Sequence, residues 1–125
     1  MPVRMNHLGL PVRDAGRSVA FYERYFGFDP ATAQRYPDGT VIVRDADGFD
    51  LALHAVEEVG EPPAFLHFGF WLPAAADVRA LLSRLEADGV EVVERYDGPG
   101  MTSFKCLDPD GHRVEAYWEP PATAA

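Results

Sequence analysis

The sequence predicts an α+β protein of two tandem β-α-β-β-β modules, each with a helix on one face of its sheet and the other face left to curve around something. Three observations predict it. The pattern His7-Leu8-Gly9-Leu10 returns as His67-Phe68-Gly69-Phe70. Asp45-Ala46-Asp47-Gly48-Phe49-Asp50-Leu51-Ala52 returns as Asp108-Pro109-Asp110-Gly111-His112-Arg113-Val114-Glu115. The offsets nearly agree, 60 positions for the histidines (67 − 7) and 63 for the Asp-Gly turns (111 − 48), so one module is written twice. Between these matched ends each copy carries one stretch of helical spacing closed by a glycine.

The first module, about residues 5–56, opens with an extended stretch from Met5 to Val12. Leu8, Leu10 and Val12 alternate there with His7, Gly9 and Pro11, the period of a half-buried strand, so His7 points away from the apolar row. Asp14 caps a helix in which Val19, Tyr22 and Phe26 recur at helical spacing, and Gly27 ends it. Three shorter strands are expected at about 31–36, 40–44 and 49–56, separated by the Pro37-Asp38-Gly39 and Asp47-Gly48 turns. The acidic, proline-bearing stretch over 57–64 reads as a linker.

The second module, about 65–118, repeats the order. A strand over 65–72 leads to a helix over 74–88 with Val78, Leu81, Leu82 and Leu85 on one face and Gly89 at its end. Strands are expected over 90–96, 101–107 and 113–118, and a frayed tail over 119–125. In the last strand Val114, Ala116 and Trp118 take one side, while Arg113, Glu115 and Tyr117 take the other. With the helix on the Val114 side, Glu115 shares the open side with the histidines.

At 125 residues the chain fits a single domain with a real core and needs no disulfide, which the lone Cys106 could not supply. No apolar run reaches the roughly 20 residues of a membrane helix, and the first residues lack the apolar stretch of a secretory signal. A cytoplasmic location is the expectation. The formal charge of −9, without clustered Lys or Arg, argues against nucleic acid. Acidity serves solubility or the attraction of cationic ligands.

Two imidazoles at equivalent points of a duplicated module, with Glu115, form a donor set suited to several divalent ions. A single strand histidine is ordinarily a hydrogen-bonded structural residue; its repetition turns the reading toward metal. Asp108-Pro109-Asp110-Gly111 lacks the further acidic ligands of a calcium loop and reads as a tight turn with His112 as its neighbour. Cys106 reads as a small core residue. Trp71 shares the parity of His67, and Tyr117 that of Glu115, so both line an aromatic pocket or pack at an edge.

The chain resembles the vicinal oxygen chelate superfamily, also called the glyoxalase, bleomycin-resistance and dioxygenase superfamily, over nearly its whole length. The residues that carry the resemblance are Asn6-His7-Leu8-Gly9-Leu10, Ser18-Val19-Ala20-Phe21-Tyr22 running to Phe26-Gly27-Phe28, His67-Phe68-Gly69-Phe70, and Leu107-Asp108-Pro109-Asp110-Gly111-His112-Arg113-Val114-Glu115. The resemblance implies an incurved sheet with a metal held at the ends of the first and last strands of each module, and a homodimer with shared sites. By position it makes His7, His67 and Glu115 ligands of a divalent ion, whether iron, manganese, zinc, nickel or cobalt. Ala52 falls on the remaining ligand position and cannot bind metal. His54, two residues on, either replaces it or touches substrate.

The expected function is therefore a metal-dependent enzyme acting on a small oxygen-bearing substrate, with the ion as Lewis acid. His54, Trp71, Ser103, Arg113 and Tyr117 are the expected substrate contacts. The alternative is a metal-free protein that sequesters an antibiotic, as bleomycin-resistance proteins do. A third reading is a fosfomycin-type thiol transferase, suggested by the stretch from Ser103-Phe104 to Glu115-Ala116, although Gly9 stands where that family has a hydroxyl residue.

Overall fold

A computed structural model describes residues 1–121. It has ten elements in chain order: β1 (His7–Val12), α1 (Ala15–Phe26), β2 (Asp29–Arg35), β3 (Val41–Arg44), β4 (Asp50–Ala55), β5 (His67–Trp71), α2 (Ala75–Ala87), β6 (Val92–Gly98), β7 (Met101–Leu107) and β8 (Arg113–Trp118). The chain divides into two compact units, Met1–Glu61 and Pro62–Ala125. Each is one β-α-β-β-β module, the α+β class expected from the repeat. Between β4 and β5 there is neither helix nor strand. Residues 122–125 of the expected tail lie outside the described residues.

In the first unit the strand order is β1-β4-β3-β2, and in the second β5-β8-β7-β6. The first and last strands of each module pair in parallel, and the remaining neighbours are antiparallel. A parallel neighbour cannot be reached by a tight turn, so the crossover carries the helix and two strands of each module.

Alternation then sorts the faces. In the first unit Leu10, Val12, Val41, Val43, Leu51 and Leu53 are buried, together with Val19 and Tyr22 of α1. That helix starts where the Asp14 carboxylate accepts the Arg17 amide at 3.1 Å, and ends at Gly27 with φ of 74°. In the second unit Val78, Leu81 and Leu85 of α2 are buried with Phe104, Cys106, Val114 and Ala116, and α2 packs on β7 and β8. His7, Asp50 and His54 in one unit, and His67, Lys105, Glu115 and Tyr117 in the other, have the opposite parity and escape full burial.

The duplication extends to the turn before the last strand. Asp45 Oδ1 accepts the amides of Asp47 at 3.0 Å and Phe49 at 2.9 Å. Asp108 Oδ1 likewise accepts those of Asp110 and His112, both at 2.9 Å. A carboxylate that takes two amides on from its own position locks a turn, so Asp108-Pro109-Asp110-Gly111 is a structural corner with His112 buried beside it.

The strand furthest from its expected bounds is β6, which begins and ends two residues later than the sequence suggests. The amide of Val90 is held by the carbonyl of Leu85 at 3.0 Å as part of the helix end, which delays the strand. At the far end Asp97 and Gly98 pair with Thr102 and Met101 and prolong it. A core test follows from α2: Leu85 is fully buried, so Leu85→Ala is expected to lower unfolding free energy by about 2–5 kcal/mol, read from urea titrations. A loss under about 1 kcal/mol would contradict the packing of α2.

Candidate functional site

On the free face of the second sheet the register lines up three rows. Gly69, Glu115, Lys105 and Glu94 lie side by side across β5, β8, β7 and β6. Trp71, Tyr117, Ser103 and Tyr96 form the next row, and His67, Arg113 and Leu107 the one on the other side. The expected residues His67, Trp71, Ser103, Arg113, Glu115 and Tyr117 thus share one face of one sheet.

His67 and Glu115 come closest to a ligand pair. The His67 Nδ1 lies 2.9 Å from the carbonyl oxygen of Phe65. A carbonyl only accepts, so Nδ1 is the donor, and in the neutral form of the ring Nε2 is the bare nitrogen. That Nε2 is 4.0 Å from Glu115 Oε1, too far for a hydrogen bond. Two electron-pair donors therefore lie side by side on a partly open face, with side-chain exposures of 36% and 20%.

Gly69 makes the room. A Cβ at that position would stand 3.3 Å from the Cβ and 3.5 Å from Oε1 of Glu115. Lys105 is paired in register with Glu115, but its Nζ reaches Glu94 Oε2 at 2.6 Å. The Lys105 hydrogen bond, and then its charge, hold the Glu94 carboxyl below the usual carboxylate range, with a smaller effect from His67. The neighbouring cation is thereby engaged away from the His67–Glu115 pair.

The first unit repeats the frame with other side chains. Gly9 pairs with Ala52 as Gly69 pairs with Glu115, which puts Ala52 at the equivalent of the glutamate. Ala52 is buried and offers no donor. His7 Nδ1 lies 3.7 Å from Asp50 Oδ2, and Asp50 Oδ1 is 2.6 Å from Arg44 Nε. His54 stands where the second unit has Tyr117; its Nδ1 is 3.2 Å from Thr40 Oγ1, and its ring lies against Gly9.

Among the described residues, neither unit gathers three His, Cys, Asp or Glu side chains into one cluster. Within one unit the sequence-derived trio is represented by His67 and Glu115, and His7 belongs to the other unit. Sequence reasoning missed Asp50 beside His7, the Lys105–Glu94 pair beside Glu115, and the link from His54 to Thr40. The 63-residue offset (113 − 50) does contain a signal for the first, since it aligns Asp50 with Arg113 next to the equivalent histidine.

The family model described as Glyoxalase/Bleomycin resistance protein/Dioxygenase superfamily matches residues 4–116. The chain belongs to that superfamily. Among its relatives, a trivalent organoarsenical cleaving enzyme of Bacillus sp. (strain MD1) is 28% identical over 119 residues, covering 90% of this chain and 71% of the relative. Glutathione transferase FosA of Serratia marcescens is 30% identical over 115 residues, covering 90% and 79%. The crystal structure of the fosfomycin resistance protein FosX from Listeria monocytogenes, complexed with Mn(II) and sulfate, shares the fold with a TM-score of 0.78 at 20% identity, over 97% of this chain and 94% of that one.

Members of the superfamily differ in chemistry, so the question for this one is which side chains can react. Cys106 is not among them. Burial, helped by the charge of Asp108, pushes its thiol up to about 12, which leaves on the order of one molecule in ten thousand as thiolate at pH 8. Iodoacetamide at that pH is expected to leave Cys106 unmodified in the folded protein and to alkylate it readily in urea. Rapid alkylation of the native chain, followed by mass spectrometry, would show the thiol to be accessible after all.

Proposed function

We propose that this chain is a divalent-metal-dependent enzyme acting on a small molecule through two oxygens of the substrate, with His67, Glu115 and His7 as the metal ligands. One observation carries the reading. His67 Nδ1 donates to a main-chain carbonyl, so in the neutral ring it is the bare Nε2 that faces a carboxylate oxygen at 4.0 Å. Such a pair of donors fits a divalent cation better than it fits a structural contact. His7 supplies the third ligand from the first module, of the same chain or of a second copy in a homodimer with shared sites.

When bound, the ion would act as a Lewis acid, polarising the substrate oxygens and holding the negative charge that develops on them. The protein's own part is to orient and enclose. Trp71 and Tyr117 offer an aromatic surface to the body of the substrate, while Ser103 and Arg113 supply polar contacts on either side of Glu115. Two nitrogens and one oxygen accommodate iron, manganese, zinc, nickel or cobalt. The manganese in the Listeria relative makes that ion the first to try. A buried free thiol suits the reducing cytoplasm.

A second reading has its own observation. Ala52 removes a donor at the position equivalent to Glu115, and the row Trp71, Tyr117, Ser103 and Tyr96 is largely aromatic, as a pocket that sequesters an antibiotic without metal would be. A fosfomycin-type thiol transferase remains a narrower form of the enzyme reading, supported by the Serratia relative. It is checked by whether fosfomycin and a thiol give an adduct with manganese present.

Metal analysis of protein purified without chelator separates enzyme from sequestering protein. The wild type is expected to hold a divalent ion, and His67→Ala and Glu115→Ala to lose affinity by about tenfold or more. Equal metal content in all three would remove His67 and Glu115 as ligands. Tight calorimetric binding of a bleomycin-like drug after exhaustive chelation, without turnover, would favour sequestration.

A further inference from the structure

A charged side chain drawn partly out of water is ordinarily paired. This chain has carboxylates to spare for the purpose, 20 Asp and Glu against 11 Lys and Arg. On the free faces Arg44 takes Asp50 and Lys105 takes Glu94, each at 2.6 Å. Elsewhere Arg79 holds Asp97 and Arg95 holds Glu86. Among the described residues, the side chains of Arg4, Arg35 and Arg113 make no hydrogen bond or ion pair. Arg4 and Arg35 are exposed, so water serves them; Arg113 is half-buried.

The place of Arg113 gives that vacancy a use. It is paired in register with His67 on one side and Leu107 on the other, and it precedes Glu115 by two residues on the same face of β8. Neighbouring strands stand about 4.8 Å apart and alternate residues about 6.6 Å apart, so the Arg113 side chain starts within reach of both donors. Glu115 does not claim it, since its Oε1 lies 4.0 Å from His67 Nε2. Beside His7 the chain supplies both halves of an ion pair, Asp50 and Arg44. Beside His67 it supplies the arginine without the carboxylate.

We propose that Arg113 is a specificity-determining residue that takes a carboxylate of the substrate, one separate from the two oxygens that chelate the ion. The substrate class is then a small hydroxy or oxo acid with a further carboxylate. The planar guanidinium presents paired N–H donors that match the two oxygens of a carboxylate. Its single charge balances a monoanion, and the neighbouring cation that could help with a dianion, Lys105, is engaged by Glu94. The substrate class rests on the enzyme reading, whereas the capture of a carboxylate by Arg113 does not.

The first arm of the experiment uses the full chain, metal-free and labelled with ¹⁵N-arginine, with Arg113→Lys to assign the Arg113 Nε–H signal. Sodium acetate is titrated at constant ionic strength against chloride. The Arg113 signal is expected to shift and saturate, while those of Arg4 and Arg35 in the same spectra move little. A response no larger than that of Arg4 and Arg35 overturns the proposal, and so does a stronger response to methylphosphonate than to acetate.

The second arm is calorimetry on Zn²⁺-loaded protein with malate and with 2-hydroxybutyrate, which carry the same chelating oxygens but differ in the further carboxylate. Malate is expected to bind about tenfold more tightly. Arg113→Gln should remove most of that preference and leave 2-hydroxybutyrate binding unchanged, and Arg113→Lys should keep part of it. A preference that survives in Arg113→Gln overturns the proposal. Should Zn²⁺ not bind at all, the metal reading fails and the acetate titration alone decides for or against Arg113, so the two failures are distinguishable.

Discussion

The parallel pairing of the first and last strands in each module is the constraint on which the rest depends. It sets Gly9 opposite Ala52 and Gly69 opposite Glu115. A residue without a side chain on the outer strand lets the side chains of the neighbouring strand lean across it. Glu115 does so over Gly69, and the ring of His54 does so over Gly9. The same pairing keeps the opposite parity apolar, which anchors each helix and so fixes which face stays open.

Because the frame is duplicated, the two free faces can be compared position by position. Where the second module has Arg113, Glu115 and Tyr117, the first has Asp50, Ala52 and His54. One face therefore sets an arginine and a glutamate beside its histidine. The other sets beside its histidine a carboxylate that also faces Arg44, and moves its second imidazole two residues on. Duplication preserved the backbone, which is held by buried Leu51, Leu53, Val114 and Ala116. Asp50 and His54 diverged from Arg113 and Tyr117 at positions that escape full burial, where substitutions disturb core packing little, whereas Ala52 is buried in place of the half-buried Glu115.

Most of the fold was legible in the sequence, because strand alternation and glycine-closed helices are local signals. β7 and β8 lie at their expected bounds, and α1 starts after the expected Asp14 cap. The boundaries that moved did so for long-range reasons. β6 starts late because the end of α2 holds Val90, and the Thr32 hydroxyl, which accepts the amide of Arg44 at 2.8 Å, helps carry β2 back toward Asp29. Half of the site was equally visible: parity alone put His67, Glu115, Trp71 and Tyr117 on one face. The partners of those residues were not. Phe65 under His67, Glu94 on Lys105 and Thr40 on His54 depend on register and on which rotamer a neighbour leaves open, and neither is written in a period of two.

The two imidazoles differ in what lies behind the ring, and the difference bears on what each can do. His67 is backed by a main-chain carbonyl, a dipole without net charge. His54 meets the Thr40 hydroxyl at 3.2 Å, and it is the main-chain amide of Thr40 that donates to Asp38 Oδ1 at 2.9 Å. A carbonyl fixes the ring while adding little to the stability of a doubly protonated imidazole, which suits a nitrogen meant to share its lone pair with a cation. A hydroxyl can give or accept the hydrogen-bond proton, so it leaves the His54 ring able to present either nitrogen. One duplicated strand pair thus gives the chain two imidazoles in different settings, distinguished by what lies behind the ring and not by the ring itself.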